Sequence, residues 1–301
     1  MLKKIGPWLS AFRLRTLPLS VSGIVIGSCF AYFNGAFDGL VMFLAILVTI
    51  SLQVLSNLAN DYGDSIKGTD NENRVGPMRA VQSGAISAEE MYEGIKLNIL
   101  IVIMLTVGLI LAAFGQKFLG YAILFFALSL VSIYAAIKYT VGASPYGYRG
   151  LGDVFVFLFF GILSGVGSYF LFTKQLDHVI ILPSVALGLL SVGVLNLNNM
   201  RDIVSDEISN KRTLAVKLGK KNSKIYHLSL VISAMVIGLL FFILYFRSFT
   251  NALFLITYIP LFFHIKKINE AEQPNDFDSQ LKVLALTTFS FSVLLGLGYI
   301  V

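Results

Sequence analysis

Nine long apolar stretches, joined by short polar ones, set the pattern of this chain: residues 17–33, 40–60, 97–116, 118–137, 154–173, 179–200, 225–246, 248–265 and 283–301. Each is 17 to 22 residues long and free or nearly free of charge. As a helix rising about 1.5 Å per residue, a stretch of that length crosses the ~30 Å hydrocarbon layer of a bilayer. Strands of a membrane barrel would be about half as long and would alternate polar with apolar. The pattern therefore predicts an all-α membrane protein with nine transmembrane helices, a single integral-membrane domain over residues 1–301. Pro260 interrupts the eighth stretch. The run from residue 17 follows Arg13 and Arg15 and has spanning length, so it reads as a retained first helix rather than a cleaved signal.

Charge placement adds an orientation. Of the 23 lysines and arginines, only Lys117, Lys174 and Arg247 fall in the connections after the first, third, fifth and seventh stretches. All the others lie before the first stretch or after the even-numbered ones. By the positive-inside rule that basic face is cytoplasmic, and so is the N-terminus of a multi-pass protein of the cell (inner) membrane. The net charge of +6 is then a topology signal and not a sign of nucleic-acid binding. The basic face also carries the longer connections, 61–96, 138–153, 201–224 and 266–282, so a polar site is expected there.

Composition excludes other classes. With 56% of residues hydrophobic, 13% charged and a mean hydropathy of +0.79, the chain is neither an ordinary soluble domain, at about 25% charged, nor disordered. A lone cysteine, Cys29, rules out a disulfide framework and a cysteine metal site. His178, His227 and His264 are too far apart in sequence to suggest zinc, and the last two, at span ends, read as interfacial residues. The segment 270–279 reads as a polar loop without a motif.

Chemistry concentrates at two helix ends. The second stretch closes on Asn57, Asn60, Asp61 and Asp64, spaced to share one helical face, and runs on to Asp70. The sixth closes on Asn198, Asp202 and Asp206, again on one face. Four crossings separate the clusters, so both lie on the same side and can oppose one another across a central cavity. Buried carboxylates need a partner. Oxygen-only ligands suit Mg²⁺, which commonly keeps substrate phosphates in its shell. Lys67, Arg74 and Arg79 follow the first cluster; Arg201, Lys211 and Arg212 follow the second. Carboxylates, Mg²⁺ and guanidinium forks together are what a diphosphate requires. Inside an apolar bundle, that head group implies a lipid tail.

Four stretches carry a resemblance: WLSAFRLRTLP (8–18), SNLANDYGDSIKGTD with VGPMRAVQSG (56–70, 75–84), YTVGASPYGYRGLGD (139–153) and NLNNMRDIVSDEISNKRTLAVKLG (196–219). They resemble the UbiA superfamily of intramembrane aromatic prenyltransferases, and within it the MenA branch, whose members prenylate 1,4-dihydroxy-2-naphthoate. The resemblance implies a polyprenyl diphosphate donor, loss of CO₂ and diphosphate, and demethylmenaquinone as product. It maps the first acidic motif to Asn60, Asp64 and Asp70, with Asp61 an additional carboxylate, and the second to Asp202 and Asp206. These four aspartates, Asp64, Asp70, Asp202 and Asp206, are the implied Mg²⁺ ligands. Arg79 and Lys211 fall at diphosphate-binding positions, with Arg201 and Asn198 beside them, and Lys138 and Tyr139 near the reacting centre. For the aromatic carboxylate the candidates are Arg13 and then Arg149; Tyr139 or Asp153 is placed to handle a proton. A secondary transporter with a repeated acidic helix end, or an enzyme of the same superfamily with another aromatic acceptor, are the competing readings.

Overall fold

The structure, a computed structural model, describes residues 5–69 and 75–301. Among these, nine helical segments are long and apolar enough to cross a membrane: Ile5–Phe33, Gly39–Ile66, Ala88–Phe114, Leu119–Lys138, Gly152–Thr173, His178–Arg201, Leu214–Leu244, Phe249–Glu270 and Pro274–Ile300. They are called the first to ninth spans below. No strand occurs among the described residues. The protein is a multi-pass, all-α membrane protein, as the hydropathy pattern predicts.

Differences from the predicted boundaries lie on the basic face, where helices continue past the hydrocarbon. The second span runs to Ile66, so Asp61 and Asp64 are helical. The third begins at Ala88, behind a capping box in which the Ser87 hydroxyl accepts from Glu90 N (3.1 Å) and the Glu90 carboxylate accepts from Ser87 N (3.0 Å). The connection 201–224 is mostly helix, with a short Ile203–Ile208 turn and the start of the seventh span at Leu214. The polar segment near 270–279 is no loop either. Pro274 opens the ninth span, and Asp276 Oδ2 accepts from the backbone of Glu272 and Gln273 at 3.0 and 2.9 Å. An apolar-run criterion stops where polar side chains begin, whereas capping carries the helix on. The interruption expected at Pro260 is a change of helix type: the eighth span is 3-10 helix over Phe249–Thr257 and turns α-helical two residues before this proline. Pro260 lies in the first turn of helix Tyr258–Glu270, where its missing N–H has no intrahelical role.

The first span begins before the predicted run from residue 17, as a separate short helix. Helix Ile5–Phe12 stops at Arg13, whose φ of 50° is left-handed, and helix Leu17–Phe33 follows a turn of 3-10 helix. The break is held by polar contacts: Thr16 Oγ1 donates to Arg13 O (2.9 Å), and Asn57 Nδ2 donates to Phe12 O (2.9 Å).

The sixth span is the hub, packed on the fifth, seventh and ninth. Its contact with the fifth depends on small residues. A Cβ on Gly161 would lie 2.6 Å from the Gly188 Cα and 2.8 Å from the Ser184 carbonyl. Over Phe157–Gly167 the fifth span is a π-helix. Seventh, eighth and ninth spans are joined by a buried polar relay, in which His227 Nε2 meets His264 Nε2 at 2.8 Å and His264 Nδ1 meets Gln280 Oε1 at 3.0 Å. Both ring nitrogens of His264 are thus engaged, one with His227 and one with Gln280. Both imidazoles are fully buried, not interfacial as their sequence positions suggest.

Gly161→Val is expected to lower stability by about 1–3 kcal/mol through overpacking. Gly120→Val, where a Cβ meets open space, should change little. Thermal unfolding of the two variants in detergent checks this.

Candidate active site

The end of the second span and the connection after the sixth converge on one lysine. Lys211 Nζ lies 3.4 Å from Asp206 Oδ1 and 3.8 Å from Asp64 Oδ2. Asp64 is 1% exposed, and its carboxylate takes two further contacts. Arg79 Nη1 donates to its Oδ2 at 2.7 Å, and also to Asn60 O at 2.6 Å. Tyr148 donates its phenol proton to Asp64 Oδ1 at 2.7 Å and lies 2.6 Å from Thr69 Oγ1, which then donates to the phenol oxygen. Two buried carboxylates are thus matched by two cations, the condition under which such charges are tolerated away from water. The approach of chain 139–140 to the second span is close: a Cβ on Gly63 would lie 2.7 Å from Thr140 Oγ1. Thr140 Oγ1 in turn donates to Ala59 O (2.9 Å), within reach of Asn60 Oδ1 at 3.2 Å.

Proton affinities follow from this arrangement. Burial disfavours the Lys211 ammonium, but Asp64 and Asp206 outweigh it and hold the lysine charged. Burial pushes Asp206 up from 3.8 to about 6; it has one cation nearby, and the like charges of Asp202 and Asp64 oppose that help. Burial, then the charges of Asp153, Asp64 and Asp206, raises the Tyr139 phenol, which stays neutral.

The other predicted residues divide into three groups. Asn60, Asn198, Arg13 and Tyr139 line one cavity, together with Asn57. Asp202, Arg201 and Asp61 are engaged elsewhere. Asp202 is bound side-on by its neighbour Arg201, Nε to Oδ1 at 2.8 Å and Nη2 to Oδ2 at 2.7 Å, while Arg201 Nη1 reaches Asp278 at 2.5 Å. Asp61 accepts from the backbone of Ala80 (3.1 Å) and Val81 (3.2 Å); it fixes the segment that carries Arg79 rather than facing the cavity. Lys138 and Arg149 lie outside the cavity: Lys138 Nζ sits over the Tyr134 ring at 6.0 Å, and Arg149 is on the exposed surface. Asp153 is buried and accepts from Tyr226 at 3.1 Å. Asp70 and Arg74 lie outside the described residues. Among the described residues no three carboxylates, imidazoles or thiols converge in a ready metal cage. Sequence reasoning overlooked Tyr148, though it stands inside the quoted 139–153 stretch, and Asp278, which no motif marks.

The cavity that Asn60 and Tyr139 line has a volume of about 370 Å³ and runs between the first six spans. Leu52, Leu109, Phe125, Phe159 and Leu163 contribute its walls, which are predominantly apolar. Arg13 reaches it because the break in the first span turns that residue inward.

The profile of the UbiA prenyltransferase family matches residues 20–294. This chain belongs to that family. It is 40% identical to a 1,4-dihydroxy-2-naphthoate octaprenyltransferase of Haemophilus influenzae, over 99% of this chain and 97% of that one. It is 45% identical to the protein of that name from Escherichia coli, over 83% of this chain and 80% of that one. Its fold is that of a UbiA homolog from Archaeoglobus fulgidus solved bound to GPP and Mg²⁺, with a TM-score of 0.69 at 14% identity, covering 96% of this chain and 99% of that chain.

In metal-free UbiA protein, the native state holds the Asp206 proton more tightly than the unfolded chain. Stability is therefore expected to fall as pH rises from about 4 to about 6 and to level off above that. Asp206→Asn should remove that part of the slope, measured as thermal midpoints across the same pH range.

Proposed function

We propose that the protein transfers a polyprenyl group from a polyprenyl diphosphate to 1,4-dihydroxy-2-naphthoate, releasing diphosphate and CO₂ and giving demethylmenaquinol, the reduced form of demethylmenaquinone, and that residues 1–301 act as one domain. The observation that carries this reading is the pairing of Asp64 and Asp206 over Lys211, one helical turn beyond Asn60, which lines a mainly apolar cavity. The names of the related octaprenyltransferases support the choice of acceptor.

The diphosphate binds at this cluster. Arg79 and Lys211 are the cations within reach of its oxygens, and Arg79 has the fork geometry for it. The donors fit Mg²⁺ in kind: Asp64 and Asp206, which the structure brings together over Lys211, offer buried acidic oxygens only, and Asp202, now paired with Arg201, and Asp70 are the further ligands that would complete the set. When bound, Mg²⁺ supplies charge neutralisation to the departing diphosphate. The prenyl chain lies along the apolar walls, which keep water from the allylic carbon as positive charge develops there. Tyr139, neutral and lining the cavity, presents an aromatic ring to that charge. Arg13, turned into the same cavity, pairs with the naphthoate carboxylate. The ring carbon that bore the carboxylate takes up the prenyl group as CO₂ departs, so the carbon skeleton balances. The basic face is cytoplasmic and the protein resides in the inner membrane.

Mass spectrometry of products, with dihydroxynaphthoate and 4-hydroxybenzoate offered in competition, tests the acceptor: prenylated naphthoquinol should dominate, and prenylated hydroxybenzoate would overturn the reading. Asp64→Ala should abolish turnover. Arg13→Ala should raise KM for the aromatic acid about 10- to 100-fold, the worth of a charge-assisted hydrogen bond, with little change in KM for the donor. For orientation, Lys117→Cys or Lys174→Cys in a Cys29→Ala background should react with an impermeant thiol reagent from outside intact cells. Labelling only after permeabilisation would invert the topology.

A further inference from the structure

The segment that opens the ninth span has no motif, yet it reaches the second acidic motif. Asp278 stands in the second turn of helix Pro274–Ile300, whose start is fixed by the capping contacts of Asp276 and by the buried ring of Phe277. Its carboxylate accepts from Arg201 Nη1 at 2.5 Å. The other edge of the same guanidinium, Nε with Nη2, is spent on Asp202. Arg201 is thus clamped at both ends, with its side chain only 3% exposed.

The local backbone explains why a clamp is needed. Adjacent residues on a straight helix point about 100° apart and do not face one another. Asp202 pairs side-on with Arg201 because the helix breaks there: at φ −96° and ψ 10°, Asp202 ends the sixth span and starts Ile203–Ile208. A carboxylate at a break, held only by the residue before it, is free to swing together with that residue. Asp278 ties the pair to a third span. It also takes a share of the guanidinium charge, leaving Asp202 more anionic than a one-to-one ion pair would. Each oxygen of Asp202 keeps a second lone pair for another ligand.

We propose that Asp278 is a positioning residue for the second acidic motif: through Arg201 it fixes the direction in which Asp202 presents its carboxylate to Mg²⁺ and diphosphate. The inference rests on the reading of Asp202 as a ligand given above. It assigns a role in the site to the first turns of the ninth span.

The test uses the purified full-length chain in detergent, its thermal midpoint titrated with MgCl₂ at fixed inorganic pyrophosphate. Asp278→Asn should need about 10-fold more Mg²⁺ for half of the stabilising shift, the usual scale for groups that orient metal ligands. The Mg²⁺ concentration for half-maximal turnover should rise in parallel, and Asp278→Glu should recover part of the loss. Asp278→Ser removes the same carboxylate and must show the same displacement if the asparagine variant does not fold. A Mg²⁺ dependence equal to that of the parent overturns the role of Asp278. Asp202→Ala in the same titration separates the two readings. If it loses the shift while Asp278→Asn matches the parent, only the positioning role falls. If it keeps the shift, Asp202 is not a ligand and both fall.

Discussion

The active centre depends on the cost of burying charge at the edge of a membrane. Asp64 and Asp206 come from elements four crossings apart, and neither is tolerable alone in so dry a place. Lys211 between them, with Arg79 behind, settles the charge and so fixes how the second span sits against the connection after the sixth. Much else around them serves that arrangement. Asp61 holds the backbone that delivers Arg79, Tyr148 and Thr69 hold the far oxygen of Asp64, and Thr140 anchors the end of the second span. The charged groups are satisfied chiefly by one another, while the chamber keeps mainly apolar walls set with a few polar residues such as Arg13, Asn57 and Asn198.

Helix count and class were legible because hydrocarbon thickness imposes a length on every apolar run. The helix ends were less so. Beyond the hydrocarbon a helix persists through capping, as at Ser87 and Gln273, and that signal is written in a few polar residues. The break at Arg13 was invisible because nothing in an apolar window registers a left-handed residue held by Asn57 from another span. The histidine relay was invisible for a related reason: His227, His264 and Gln280 satisfy one another, and a mutual arrangement has no trace in the sequence around any one of them.

The site was legible where its residues share a helical face. The spacing of Asn60 and Asp64, and the even number of crossings to Asp206, are enough to set the two clusters on the same side of the membrane. Roles within each cluster were not legible, since a face does not say which carboxylate looks inward. Asp61 and Asp64 are three residues apart, yet one binds backbone and the other binds Arg79, Tyr148 and Lys211. Asp278 was out of reach altogether, because its partner is 77 residues away.

The ion pairs of Asp64, Arg79, Lys211 and Asp206 gather at one end of the bundle, while the chamber walls come from other turns of the helices. The two parts are therefore separable along the bundle. Replacing wall residues such as Phe125 or Leu163 re-sculpts the space offered to a hydrocarbon without disturbing a single ion pair at that end. A scaffold divided in this way lets lineages exchange one greasy cargo for another while the leaving-group machinery stays as it is.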